Sequence, residues 1–97
     1  MKLRFTPRAT EDLVAIADFI FARNPSAALL VRAAIYETLQ NLTLYPQIGR
    51  QQKTSGVRKV VTRKYAYLIY YTVDTEADEI VILNVKHPAR DRDHEDD

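Results

Sequence analysis

Among the basic residues of this chain, Arg58, Arg63, His87 and Arg90 are four that could converge at one rim and act together on a phosphate. Cleaving RNA without a metal needs one group to take the proton of the attacking 2′-hydroxyl and another to protonate the leaving oxygen. It also needs cations to hold the phosphate as charge builds. One imidazole and three guanidiniums supply those parts if the fold brings them to one rim. The competing reading is structural: His87 ends a strand and bonds to backbone, and the arginines form a solvated face. Strand alternation already restricts the first reading. It sends Arg58, Val60 and Thr62 to one side and Val57, Lys59 and Val61 to the other, so Arg58 and Lys59 face opposite ways.

Other chemistries find less support. Tyr65, Tyr67, Tyr70 and Tyr71 among basic residues can stack bases, or can pack a core across strands. The alternation of Tyr67, Ile69, Tyr71 and Val73 with Ala66, Leu68, Tyr70 and Thr72 favours packing, since one face is then mostly apolar. His87 and His94 lack a spacing that would hold a metal on one face, and no metal or other cofactor is expected. With zero cysteines, thiol nucleophiles, disulfides and cysteine zinc sites are excluded, which fits a reducing cytoplasm. No glycine-rich phosphate loop or nucleophile elbow is present.

Charge is segregated along the chain. No Asp or Glu occurs from Thr38 to Val73, whereas Arg50, Lys53, Arg58, Lys59, Arg63 and Lys64 crowd that stretch, although the formal net charge is only +1. Such a field attracts an acidic partner, nucleic acid or protein. A length of 97 residues with 46% apolar content suffices for one core. One domain over residues 1–90 is expected. The tail, residues 91–97, is acidic and has no apolar residue, so it is expected to be mobile. The N-terminus lacks an apolar run of signal-peptide length, and no stretch approaches the ~20 residues of a membrane helix. A cytoplasmic protein without a membrane partner is expected.

The elements that must position these residues change period midway. Lys2–Phe5 alternates as a short strand, and Thr6-Pro7 reads as an N-cap followed by proline at the first helical position. Leu13, Ile16, Ala17 and Ile20 recur at helical spacing, predicting a helix from about Pro7 to Arg23. Asn24-Pro25 ends it and caps a second helix, whose core stripe of Ala28, Val31, Ile35, Leu39 and Leu42 stops at Tyr45-Pro46. A basic loop over 47–56, with glycines at 49 and 56 permitting turns, precedes three strands at about 57–62, 66–73 and 79–85, the last two joined by a loop over 74–78. In the last, alternation places Val81, Leu83 and Val85 on one side and Asn84 and Lys86 on the other. The expected fold is α+β, in the order β-α-α-β-β-β: a short N-terminal strand, then an antiparallel helical hairpin covering one face of a twisted, mainly antiparallel sheet whose other face is partly open.

Both helices carry more apolar surface than one core needs. Val14, Phe19 and Phe21 lie outside the first stripe, and Leu29, Leu30 and Tyr36 outside the second. Helices of this kind usually bury a second face, which points to a protein partner on the outside of the hairpin; the alternative is contact with a sheet edge or single exposure at the surface.

Six segments in order resemble the RelE/ParE superfamily of bacterial toxins. They are Phe5-Thr-Pro-Arg-Ala-Thr-Glu-Asp-Leu13 with Ile16 and Phe19-Ile20; Asn24-Pro-Ser-Ala-Ala28; Tyr45-Pro-Gln-Ile-Gly-Arg50; Val57-Arg-Lys-Val60; Tyr67-Leu-Ile-Tyr-Tyr71; and Val85-Lys-His-Pro-Ala-Arg-Asp91. The resemblance spans Leu3 to about Asp91. It implies a toxin encoded beside an antitoxin, whose disordered segment folds onto the toxin and silences it as a hetero-oligomer. On that basis Val14, Phe19, Phe21, Leu29, Leu30 and Tyr36 are expected to give antitoxin its apolar contacts, and Arg58, Arg63 and Arg90 its acidic ones.

The superfamily holds two functional classes. Its ribonuclease branch cuts messenger RNA in the ribosome with a basic cluster, often helped by a glutamate or lysine base and by a tyrosine after the last strand. Here no glutamate lies between Glu37 and Glu76, no tyrosine follows Tyr71, and Pro88 stands beside His87. If the chain is a nuclease, Arg58, Arg63, His87 and Arg90 are its catalytic set. The Asn24-Pro25 corner, the Pro46–Arg50 turn and the His87–Asp91 ending look more like the ParE branch, whose members resemble inhibitors of DNA gyrase that act by binding. The reading adopted is a ParE-like gyrase inhibitor without catalytic residues, with the ribosome-dependent endonuclease as the alternative.

Overall fold

The chain, seen in a computed structural model that describes residues 1–89, runs β1 (Lys2–Phe5), α1 (Pro7–Arg23), α2 (Pro25–Leu44), β2 (Arg50–Gln51), β3 (Val57–Val61), β4 (Leu68–Asp74) and β5 (Glu79–Lys86). The expected tail over 91–97 lies outside the described residues, as does Arg90. Thr6 starts α1 from an extended backbone (φ −70°, ψ 161°), and its hydroxyl accepts the Ala9 N–H at 3.0 Å. Asn24 serves both helices. Its backbone N–H closes α1 on the Ile20 carbonyl at 2.7 Å, and its side chain accepts the Ala27 N–H of α2 at 3.2 Å. One residue thereby satisfies orphan groups at two helix ends, which is why the hairpin corner is so short.

The α+β expectation holds, with one addition. The sheet order is β1-β5-β4-β3-β2, with β1 parallel to β5 and every other pair antiparallel. The added strand is β2, inside the predicted loop, where Arg50 and Gln51 pair with Lys59 and Arg58. Strand β3 stops a residue early because Thr62 opens a turn. Its N–H reaches the Tyr67 carbonyl at 2.9 Å, and its hydroxyl donates to the Lys64 carbonyl at 2.6 Å while accepting the Tyr67 N–H at 2.9 Å. Tyr65 and Ala66 adopt positive φ (68° and 54°) in that turn, which keeps Ala66 out of β4.

The predicted alternation of β5 fails at Leu83. Tyr70 faces Asn84 and Tyr71 faces Ile82, so Leu83 is the extra residue of a β-bulge. Val85 therefore joins Ile80 and Ile82 on the helix side, while Val81 faces away. Backbone groups loosened by the bulge are met by the start of α1: the Thr6 hydroxyl donates to the Leu83 carbonyl at 2.7 Å, and the Asp12 carboxylate accepts the Val85 N–H at 2.9 Å.

The core lies between the hairpin and the sheet, where Leu42, Ile69, Tyr71, Ile80 and Ile82 are fully buried. Ala17 belongs to the groove described below rather than to the core, and Ala9, near the start of α1, is buried instead. On the opposite face Leu68, Tyr70 and Val81 are buried, with the Lys86 ammonium 4.8 Å above the Tyr70 ring, whereas Val61 stays exposed. That face is thus only partly open.

Candidate functional site: an apolar groove on the helical hairpin

Between the outer faces of α1 and α2 runs a groove of about 490 Å³. Val14, Ala17 and Phe21 supply one wall at three- and four-residue steps; Leu29, Arg32 and Tyr36 supply the other at the same steps, over Ile16, Ile20, Val31 and Ile35. Of the apolar residues expected to meet a partner, Val14, Phe21, Leu29 and Tyr36 line this groove. Phe19 and Leu30 do not. Phe19 lies beneath the Arg23 guanidinium, 3.7 Å from its ring centroid, and Arg23 also donates to the Phe19 carbonyl at 2.9 Å.

Two lining residues escape a search for apolar positions: Asp18 on α1 and Arg32 on α2. The signal was available, since Asp18 follows Val14 by four residues and Arg32 follows Leu29 by three, so each had to share a face with a groove residue. Neither has an ion-pair partner among the described residues. The groove is therefore apolar at its floor and carries one charge of each sign on opposing walls.

The basic residues do not gather at one rim. Arg58 pairs with Tyr71, whereas Val61 and Lys86 both pair with Leu68, so Arg63 and His87 lie at the far end of the strands from Arg58. At a rise of ~3.3 Å per residue, the three steps from Arg58 to the end of β3 at Val61 already span about 10 Å. Each of the three also has local work. Arg58 donates to the Gln47 carbonyl at 3.2 Å and the Gly49 carbonyl at 2.8 Å. Arg63 donates to both oxygens of Glu37, at 3.2 and 3.0 Å. His87 accepts the Ala89 N–H on Nδ1 at 3.0 Å, and its ring meets Tyr67 edge-on at 5.4 Å. Arg90 lies outside the described residues.

Arg58 and Tyr71 together hold the turn between α2 and β2. The Tyr71 hydroxyl accepts the Gly49 N–H and donates to the Pro46 carbonyl, both at 2.8 Å. Burial pushes the Tyr71 hydroxyl above its usual pKa, opposed by the Gly49 hydrogen bond and by the Arg58 charge. Gly49 is needed here for close approach rather than for a turn: a Cβ would sit 2.6 Å from that oxygen. Among the described residues no cluster of His, Asp or Glu could hold a metal ion, and no helix is long and apolar enough to cross a membrane.

Comparison with known proteins places this architecture. The profile described as "ParE toxin of type II toxin-antitoxin system, parDE" matches residues 3–92. The chain belongs to this ParE toxin family. A protein of Sinorhizobium fredii named "Putative toxin Y4kP" is 31% identical over 86 residues, which cover 89% of this chain and 86% of the relative. Among solved structures, the ParE-family chain resembles one from the chromosomal ParDE toxin–antitoxin system of P. aeruginosa (TM-score 0.75, 28% identity, 90% of this chain and 95% of that one). It shares its fold with a chain of the intact RelBE toxin–antitoxin complex of E. coli (TM-score 0.67, 20% identity, 92% and 98% covered).

Proposed function

We propose that this type II toxin acts by binding DNA gyrase rather than by cutting RNA, and that an antitoxin segment silences it by filling the hairpin groove. The observation that carries the reading is how the nuclease candidates are used. Arg58 is committed to two turn carbonyls, Arg63 to a carboxylate on α2, and His87 to the backbone two residues on, with Arg58 separated from the other two by the length of β3 beyond it, about 10 Å. A metal-free ribonuclease needs acid, base and phosphate-holding cations within hydrogen-bond reach of one substrate. The described residues supply no such convergence.

The groove supports the antitoxin half of the proposal. An amphipathic helix laying an i, i+3, i+4, i+7 stripe between Val14 and Leu29 is the physical complement of two walls with that spacing. Asp18 and Arg32 then ask for a basic and an acidic residue on the incoming helix, which fixes its direction. The ParDE and RelBE systems whose toxins resemble this chain each contain an antitoxin, in keeping with this reading.

The deciding experiment adds the purified toxin to gyrase and relaxed plasmid, beside a translation reaction in which messenger ends are mapped by primer extension. Loss of supercoiling with intact messenger is expected. Cleaved messenger with normal supercoiling would restore Arg58, Arg63, His87 and Arg90 as a catalytic set.

A further inference from the structure

A second group of apolar side chains faces solvent away from the groove. Leu44, Tyr45 and Ile48 are 70, 62 and 59% exposed, at the end of α2 and in the turn that follows. None of them lines the groove. The Ile48 N–H donates to the Tyr45 carbonyl at 3.1 Å. That is the closing bond of a β-turn, so the two Cα atoms lie within ~7 Å. Arg50 is exposed two residues beyond Ile48, across the buried Gly49. Its guanidinium has no hydrogen-bond or ion-pair partner among the described residues, and no acid occurs in sequence between Glu37 and Asp74.

Most exposed turns are held loosely, and this one is not. A fully buried tyrosine hydroxyl grips Pro46 and Gly49, and Arg58 grips Gln47 and Gly49, yet the large side chains of the same turn point to water. Such an arrangement fixes an apolar and cationic surface before any partner arrives, which lowers the ordering cost of binding. We infer that Leu44, Tyr45, Ile48 and Arg50 form a second docking face, and that its occupant is the protein on which the toxin acts, through an apolar pocket bordered by a carboxylate.

The inference rests on the toxin reading above. Three observations narrow the occupant to a folded protein with a carboxylate beside its pocket, and the test below separates the target from the antitoxin. Two exposed aliphatic side chains lie within three residues of the tyrosine, which suits a protein pocket better than a base-stacking platform. The guanidinium and the acid-free stretch around it call for a carboxylate opposite. A second copy of the chain is disfavoured, because a two-fold contact would set the patch, Arg50 included, against itself.

The test expresses Tyr45→Ala/Ile48→Ala and, separately, Arg50→Glu in a bacterial host without antitoxin, and measures affinity of the purified variants for an antitoxin that neutralises the wild-type chain. The expected result is loss of growth arrest, with surviving colonies up by at least about tenfold, as a tenfold or larger loss of target affinity would give. Melting temperature should be unchanged and antitoxin affinity kept within about twofold, since these side chains touch little of the fold. Undiminished arrest by both variants overturns the inference. So does loss of antitoxin binding in the same variants, which would make the face part of the antitoxin's footprint, or a change in oligomeric state, which would make it a self-contact. Should the wild-type chain fail to arrest growth, the toxin reading itself falls, and that outcome needs no variant to detect.

Discussion

Replacing Tyr71 by Phe removes one oxygen and leaves the ring packing untouched, so its cost isolates the turn anchor. Two backbone groups lose a partner: the N–H of buried Gly49 and the carbonyl of half-buried Pro46. A buried donor left unpaired costs about 1–3 kcal/mol, while the Pro46 carbonyl is open enough to find water, so the sum should be about 2 kcal/mol. For a domain of this length that lowers the melting temperature by about 10 °C. Urea unfolding followed by circular dichroism measures it, with Tyr65→Phe as the exposed control, expected to be near zero. The same hydroxyl has a pH signature. Burial raises its folded pKa above its unfolded value, so its contribution is complete below about pH 10 and is lost as pH rises through the folded pKa. Wild type should therefore lose stability relative to the Phe variant above about pH 10. A difference below about 0.5 kcal/mol at neutral pH, with parallel curves at alkaline pH, would refute the claim that this hydroxyl holds the turn.

Two further outcomes are expected. Gly49→Ala should destabilise at least as much as Tyr71→Phe, because its methyl carbon would meet the Tyr71 hydroxyl at 2.6 Å and the Lys59 carbonyl at 3.0 Å. Adding Tyr71→Phe should then cost less than in the wild-type background, a coupling that a double-mutant cycle in urea reads directly. Leu29→Glu, at a groove wall position 66% exposed, should leave the melting temperature near wild type. It should weaken antitoxin binding by about thirtyfold or more in calorimetry, since a charge replaces an anchor worth about 2 kcal/mol.

The helices were legible in the sequence because their limits are set by local chemistry. Thr6-Pro7 and Asn24-Pro25 cap and start helices through hydrogen bonds to residues three positions on, and such bonds need no tertiary context. Strand pairing was legible in order but not in detail. The bulge at Leu83 depends on Thr6 and Asp12, more than seventy residues away in sequence, to satisfy its backbone, and no period within β5 announces it. The same distance effect hid the roles of the arginines. Arg58 and Arg63 look alike in a basic stretch, yet one faces a turn brought under it by β2 and the other a glutamate on α2. Excess apolar content found most of the groove, but hydrophobicity alone could not separate Phe19, covered by its own helix's Arg23, from Phe21, which lines the groove.

The two exposed apolar surfaces differ in what the fold does for them. The groove arises from helix spacing: α1 and α2 turn one stripe to the sheet, and the neighbouring stripe, one residue over (Ala17 beside Ile16, Arg32 beside Val31, Tyr36 beside Ile35), is left with no element of the described chain to cover it. Such a surface is generic in shape, and its selectivity must come from the charges on its walls, Asp18 and Arg32. The Leu44–Ile48 turn is the reverse case, a small patch held in place by side chains from β3 and β4 that make no outward contact of their own. A surface shaped by periodicity suits a segment that folds as it binds and adapts its own register, whereas a surface fixed from beneath suits a folded target that cannot adapt. That contrast is why we propose the groove for the antitoxin and the turn for the protein it protects.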